Sequence, residues 1–413
     1  MNAGLRWTER LEERAGPTPP PSWRIALVCP YSLSRPGGVQ GQVLGLARAL
    51  EARGHRATVF APVDDLARLP TGVEVVATGR SVPVRGNGSV APISLSVTAA
   101  RSALRILRSA GFDAIHVHEP FTPGLPYGLL VSRGLPPMVA TFHRSGGSPF
   151  YKALRPLTRR LARRFAARCA VSAAAGSTAS AALGGTYEIG FNGVEADEYH
   201  GVDPWPTDRP TVLFLGRHEE RKGLGVLLEA FEALATTATA NGGVPAMAAR
   251  PVLWIAGDGP QTDTLRGTHP ESPDIRWLGV IPDPEKARRL MAADLLCAPS
   301  LGGESFGMVL LEAMAARAVV VASDIDGYRD AAGGHALLVP PGDSRALVEA
   351  VSGVLCGSGA VDTRPGGEGG PGGDGSRRRW LDAAEGWAAH WSMGRLAEWY
   401  EGIYWSAVVG PPG

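Results

Sequence analysis

The chain has 413 residues, too many for one compact core, and its 44% apolar content can fill two domains of ordinary size. Its 54 Gly and 34 Pro follow no three-residue period, which excludes collagen-like and repeat architectures. The net charge of +1 conceals a division: residues 1–200 hold 23 Lys and Arg against 13 Asp and Glu, the remainder 18 against 27.

Residues 1–21 mix acids, arginines and prolines without an apolar h-region, so they read as a disordered extension and not as a secretory signal. Arg24-Ile-Ala-Leu-Val-Cys29 is a continuous apolar run of the kind carried by buried parallel strands. A Gly-rich turn follows, then a helical pattern over Val39–Arg53 closed by Gly54, then a strand over Ala57–Ala61. Further strands are predicted at Ala114–Val117, Met138–Phe142 and Cys169–Val171. From Pro120 to Tyr187 there is no acidic residue, while nine basic ones occur. There, Leu154, Leu157, Leu161 and Phe165 form an apolar seam at helical spacing among Arg155, Arg159, Arg160, Arg163 and Arg164. The seam suits a core face or a helix lying on anionic lipid. Aromatic residues do not interleave with these cations, which argues against nucleic acid.

The link Gly201–Asp208 interrupts the alternation, and a second series begins. Its strands are predicted at Thr211–Leu215, Val252–Ala256, Ile275–Leu278, Leu295–Ala298, Val319–Ala322 and Ala336–Val339. Two such series make an α/β protein of two Rossmann-like parallel-sheet domains, 22–195 and 196–356, facing a central cleft, with sites at the carboxyl ends of strands. Residues 357–378 are Gly-rich and read as a flexible insertion; helices over 379–409 are expected to dock back on the first domain. No apolar run approaches the roughly 18 residues of a spanning helix. Cys29, Cys169, Cys297 and Cys356 have neither metal nor disulfide spacing, which suits a reducing cytoplasm.

The first turn, Tyr31-Ser-Leu-Ser-Arg-Pro-Gly-Gly-Val39, lacks G-x-G-x-x-G, which argues against a nicotinamide or flavin enzyme. Gly37 and Gly38 at a helix start admit a phosphate to free backbone N–H groups, and equally suit an ordinary tight turn. Gly216-Arg-His-Glu-Glu-Arg-Lys-Gly223 follows a strand and puts Arg217 and Lys222 at a helix N-terminus, where a departing diphosphate would be stabilised. Only three of the 41 basic residues are lysines, so Lys222 and Lys286 stand out. In Gly302-Gly-Glu-Ser-Phe-Gly-Met-Val-Leu-Leu-Glu312, Glu304 lies in a loop and Glu312 about two helical turns on, so both could face one nucleotide sugar. Asp324-Ile-Asp326 and His116-Val-His118 imitate metal motifs. The Arg/Lys pair already offsets a diphosphate, however, and alternate residues on a buried strand point together for packing as readily as for zinc. No metal or tightly bound cofactor is expected.

These motifs, with Pro36-Gly-Gly-Val39, His116-Val-His-Glu-Pro120, Ala140-Thr-Phe-His143, Phe191-Asn-Gly-Val194 and Leu301-Gly-Gly-Glu-Ser-Phe-Gly307, resemble in order the retaining glycosyltransferases of family 4 with the GT-B fold. Within that family the pattern is most similar to the phosphatidylinositol mannosyltransferases. The resemblance implies GDP-mannose as donor and a lipid, phosphatidylinositol, as acceptor, taken from an anionic membrane by a cytoplasmic, peripheral enzyme. It implies that Gly38, Arg217, Lys222 and Glu304 hold the diphosphate and sugar, with Gly37, Ser305, Phe306, Gly307 and Met308 lining the same site. Glu312 would bind the ribose, and Ile281, Asp283 and Lys286 the guanine. His143 would stand at the reaction centre beside the acceptor, and Tyr31 and Arg221 near the inositol phosphate. Domain closure would then bring His143 and Glu304 together. The chain departs from the family after Asn87-Gly-Ser89, where Pro92 and Ser94 replace two arginines for the lipid phosphate, and at Gly146-Gly-Ser148, where a lysine is absent. The alternatives are another nucleotide sugar, a non-inositol acceptor, or a non-catalytic nucleotide-sugar-binding protein.

Overall fold

A computed structural model describes residues 22–35, 37–69, 72–86, 89–144, 155–237, 250–304, 306–356 and 374–410. They divide into two compact units, residues 22–193 with 393–410, and residues 194–392.

The first unit contains β1 (Arg24–Val28), β2 (Arg56–Ala61), β3 (Glu74–Ala77), β4 (Val82–Gly86), β5 (Ser89–Ile93), β6 (Ala114–His118), β7 (Met138–Phe142), β8 (Ala167–Ala170) and β9 (Glu188–Ile189). Seven of them form a parallel sheet in the order β3-β2-β1-β6-β7-β8-β9. Helices cover both faces, which is why β6 and β7 are buried at every position, the two histidines of β6 included. The helix Gly38–Ala52 buries Val43, Leu46, Ala47 and Leu50, one stripe at helical spacing. β3, β9 and the antiparallel hairpin β4–β5 were not among the predicted strands. β9 has two residues, and the hairpin sets Pro83 opposite Pro92, a composition that argues against strand.

The second unit contains β10 (Thr211–Leu215), β11 (Val252–Ala256), β12 (Ile275–Gly279), β13 (Leu295–Ala298), β14 (Val319–Ser323) and β15 (Leu337–Val339), a parallel sheet ordered β12-β11-β10-β13-β14-β15. Both units are thus Rossmann-like. In each, strand order reverses beside the first strand, between β1 and β6 or between β10 and β13, the switch point at whose carboxyl end such sheets carry their sites. The link is clamped to the second unit by Arg289, whose guanidinium lies 3.8 Å from the Trp205 ring centroid and 4.4 Å from that of Trp254.

The C-terminal stretch forms two helices, Asp374–Ala389 and Met393–Val408. The first stays on the second unit. Trp387 Nε1 donates to the Ala331 carbonyl at 2.7 Å, and Arg317 pairs with Asp382 at 2.6 Å. The return to the first unit therefore begins at Met393, where Leu396, Trp399, Tyr400 and Tyr404 become buried. The extension 1–21 and most of the Gly-rich stretch 357–378 lie outside the described residues. Among the described residues, no helix is long and apolar enough to cross a membrane.

Candidate active site

In the second unit, the loops after β10 and β13 meet at the crevice. The Leu301 amide donates to the Arg221 carbonyl at 2.7 Å, and a Cβ on Gly223 would stand 2.0 Å from the Pro299 carbonyl oxygen. Gly223 also has φ +69, so only glycine permits this approach. The contact carries Arg221 and Lys222 to Glu304. Lys222 Nζ lies 2.8 Å and Arg221 Nη1 2.7 Å from Glu304 Oε1. Ser300 Oγ lies 3.5 Å from the same oxygen and 2.8 Å from the Tyr328 hydroxyl, which props the loop from below. Arg217 is not brought to Glu304. Its Nε pairs at 2.8 Å with Glu219, whose other oxygen takes Arg221 Nε at 2.9 Å. The carboxylates of Glu219 and Glu304 thus hold three cations, an arrangement suited to exchange for a polyanion.

Gly307 sits at φ +97 against the Tyr328 ring and starts the helix Met308–Ala315 without a side-chain cap. Phe306 turns inward and packs on Trp391 at 4.9 Å between ring centroids, so it supports the loop from the core. Ser305 lies outside the described residues. One face of the helix carries Glu312 to Lys286, with Nζ–Oε1 3.1 Å and Asp283 at 3.4 Å. Burial works against the Lys286 charge, but Glu312 and Asp283 outweigh it and the ammonium is held more firmly than usual. Ile281 and exposed Asp283 lie at the start of the helix Asp283–Ala292.

In the first unit, Gly37 precedes the helix Gly38–Ala52 without a side-chain cap, and a Cβ on Gly38 would meet nothing within 4 Å. Buried Gln40 returns to the preceding loop, donating to the carbonyls of Ser32 and Arg35 at 3.3 and 3.2 Å. Tyr31 bridges to Ile93; burial and then the Glu119 carboxyl push its hydroxyl pKa up. His116 and His118 point to the same side of β6, rings 4.3 Å apart. His116 is tied to Tyr404 at 2.8 Å and to Thr141 at 2.7 Å. His118 Nδ1 meets His143 Nε2, just past β7, at 2.8 Å. Burial pulls the pKa of His143 down to about 4 and, with His143 adding to it, that of His116 to about 3. Glu119, at φ 47, accepts the His143 amide at 2.7 Å. Sequence reasoning missed Gln40, His118, Glu119, Glu219 and Tyr328 as parts of these sites. The signals were the alternation of His116 and His118 on one strand and the run His116-Val-His-Glu-Pro120 that holds His118 and Glu119.

Asp324 and Asp326 both accept from Arg329, at 2.5 and 2.7 Å. Among the described residues, no group of three or more His, Cys, Asp or Glu is placed to hold a metal ion. The arginine-rich seam is also divided. Leu157 is 54% exposed while Phe165 is buried, Leu154 lies outside the described residues, and Arg164 and Arg168 donate to the Leu130 and Gly184 carbonyls. Among the described side chains of that stretch, Arg160 and Arg163 are the exposed arginines. The helix Val97–Ser109 presents a more uniform face, with Arg101, Arg105, Ile106 and Arg108 exposed and no acidic residue along its length.

Each Rossmann-like unit thus carries a polar group at its switch point, a cation–carboxylate cluster in one and a buried histidine in the other. Residues 36–198 match the family described as Glycosyltransferase Family 4, and residues 209–356 the one described as Glycosyl transferases group 1. The chain belongs to the family 4 glycosyltransferases, with the GT-B fold. It is 40% identical to the phosphatidyl-myo-inositol mannosyltransferase of Mycobacterium leprae, over 80% of this chain and 87% of that protein. It is 36% identical to the protein of the same name from Propionibacterium freudenreichii, over 74% and 78%. In fold it is similar to a glycosyltransferase of Rickettsia africae (TM-score 0.67, 16% identity, covering 94% and 100%). It is likewise similar to the sucrose-phosphate synthase of Thermosynechococcus elongatus (TM-score 0.65, 18% identity, 94% and 100%).

Proposed function

We propose that this glycosyltransferase moves mannose from GDP-mannose to a phosphatidylinositol lipid with retention of configuration. The carrying observation is the Lys222–Glu304–Arg221 cluster, in a chain 40% identical to a mannosyltransferase named for that lipid. Lys222, with Arg217 and Arg221, offsets the charge of the departing diphosphate, and Glu304, released from its cations, orients the sugar. Lys286 and Glu312 receive the guanosine, and His143 receives a hydroxyl of the reacting sugars. The test is product analysis with GDP-mannose and UDP-glucose against a panel of lipids. Mannosyl-phosphatidylinositol from GDP-mannose is expected. A product only from another donor or lipid, or donor binding without turnover, would replace this reading. Because cations on side chains neutralise the diphosphate, EDTA should leave the rate unchanged. Loss restored by magnesium would assign Asp324 and Asp326 a metal role.

The acceptor is reached at an anionic membrane surface. The two arginines absent at Pro92 and Ser94 leave the cationic contact to the exposed face of Val97–Ser109, joined by Arg160 and Arg163. Each cation near such a surface contributes about 1 kcal/mol. Reversal of Arg101, Arg105 and Arg108 to glutamate should therefore weaken binding to anionic vesicles by roughly a hundredfold or more. Zwitterionic vesicles should bind neither protein, and added salt should release the wild type. Undiminished flotation of the triple variant would exclude this face.

A further inference from the structure

The His118–His143 hydrogen bond assigns a tautomer. Two buried rings face each other with one hydrogen between His118 Nδ1 and His143 Nε2, 2.8 Å apart. Burial holds both well below the ordinary histidine range, so near neutral pH each ring carries one hydrogen. If that hydrogen belonged to His143, the hydrogen of His118 would sit on Nε2. His118 Nε2 is buried and has no partner among the described residues. An orphaned N–H there costs about 1–3 kcal/mol. If the bridging hydrogen belongs to His118 Nδ1, Nε2 is a bare lone pair, an unmet acceptor, and folded proteins leave buried acceptors unmet more readily than buried N–H donors. His143 then carries its own hydrogen on Nδ1. Asn192 lies beside this ring, and its buried Oδ1 has no hydrogen-bond partner among the described residues, so a hydrogen on Nδ1 is the kind of group that oxygen needs. Turning the Asn192 amide over would still leave the His118 Nε2 hydrogen stranded in the other arrangement.

We propose that His118 is a positioning residue that fixes His143 as its Nδ1–H tautomer, so that His143 meets substrate as a hydrogen-bond donor and not as a proton acceptor. The proposal rests on the reading that His143 stands at the reaction centre. With Nε2 occupied by His118, the ring has no lone pair for the acceptor hydroxyl; its Nδ1–H can be shared with a sugar oxygen beside Asn192. The other ionisable groups around the pair are His116, stacked on His118, and Glu119 and Arg144. The Glu119 carboxylate takes the backbone amides of His143 and Arg144, so it holds the main chain and leaves the ring nitrogens alone.

The test is imidazole nitrogen NMR of the full-length protein without substrate, followed by kinetics. His143 should show a protonated Nδ1 and an accepting Nε2, unchanged from pH 5.5 to 8. A protonated Nε2, or titration within that range, would overturn the proposal whatever reaction the protein catalyses. His118→Asn, whose Nδ2 can stand where Nδ1–H stood, should keep the tautomer. His118→Leu should lose it, with kcat falling roughly tenfold to a hundredfold and KM for the donor little changed. Equal kcat in the two variants, or a His143 tautomer unchanged in His118→Leu, would also remove His118 from this role. If product analysis finds another reaction while the NMR pattern holds, the substrate reading fails and the tautomer assignment stands.

Discussion

Lys222→Ala should reduce kcat by two orders of magnitude or more at saturating donor. Lys222 Nζ is one of two cations on Glu304 Oε1 and is mostly shielded, at 18% side-chain exposure. Removing a charged group that stabilises a leaving group in such a place costs roughly 2.7–4 kcal/mol in the transition state. Arg221 remains on Glu304, so the loop should keep its shape and the fold its stability. Arg217→Ala should cost less, because Arg217 is 68% exposed and paired with Glu219, in a more solvated place. A Lys222→Ala enzyme within a few-fold of wild type would remove the lysine from the mechanism. A large loss accompanied by a fall in Tm would reassign it to loop structure.

The second large effect is on stability. Glu401, on the last helix, accepts Arg53 Nε and Nη2 at 2.5 and 2.8 Å and lies 2.9 Å from His55 Nε2. His55 Nδ1 accepts the Trp23 amide, so its hydrogen is on Nε2 and points at Glu401. Burial opposes the Glu401 charge, but Arg53 and His55 prevail and hold the carboxyl at about 2. Glu401→Gln should therefore destabilise the first unit by about 2–4 kcal/mol. The corresponding fall in Tm is roughly 5 °C or more. The sign of the pH dependence follows from the lowered pKa. Between the ordinary value of 4.5 and about 2, the unfolded chain binds a proton that the folded one does not. The Glu401 contribution is complete above pH 4.5 and is lost as pH falls toward 2. The Tm difference between wild type and Glu401→Gln should accordingly be full at pH 6 and shrink at pH 3. A gap of equal size at both would contradict the charge pairing.

The central strands were legible in the sequence because strands covered on both faces are apolar throughout. Val252–Ala256 and Leu295–Ala298 coincide with β11 and β13 for that reason. The hairpin β4–β5 escaped because its prolines pair only with each other, outside the main sheet. Lys222, Glu304 and Glu312 stood out as chemistry because lysine is rare here, and because a glutamate in a Gly-rich loop and another about two helical turns on could face one ligand. Their partners did not. Spacing cannot say that Glu304 shares one oxygen between Arg221 and Lys222 while Arg217 turns to Glu219.

By itself the sequence determined the α/β class, the two parallel sheets and the residue types able to hold a nucleotide sugar, since local patterns of burial and turn chemistry carry that information. Only the tertiary structure decided which charges meet, that His118 Nδ1 faces His143 Nε2, and where the chain turns back at Met393. It also decided which arginines remain exposed. Arg164 and Arg168 are partly buried on the carbonyls of Leu130 and Gly184, while Arg101, Arg105 and Arg108 stay on the surface, Arg108 with its Nε on the Arg133 carbonyl at 3.2 Å. The physical reason is common to all of these. A hydrogen bond or ion pair depends on ångström distances between residues far apart in the chain, and those distances are set only when strand order and loop closure bring the segments together.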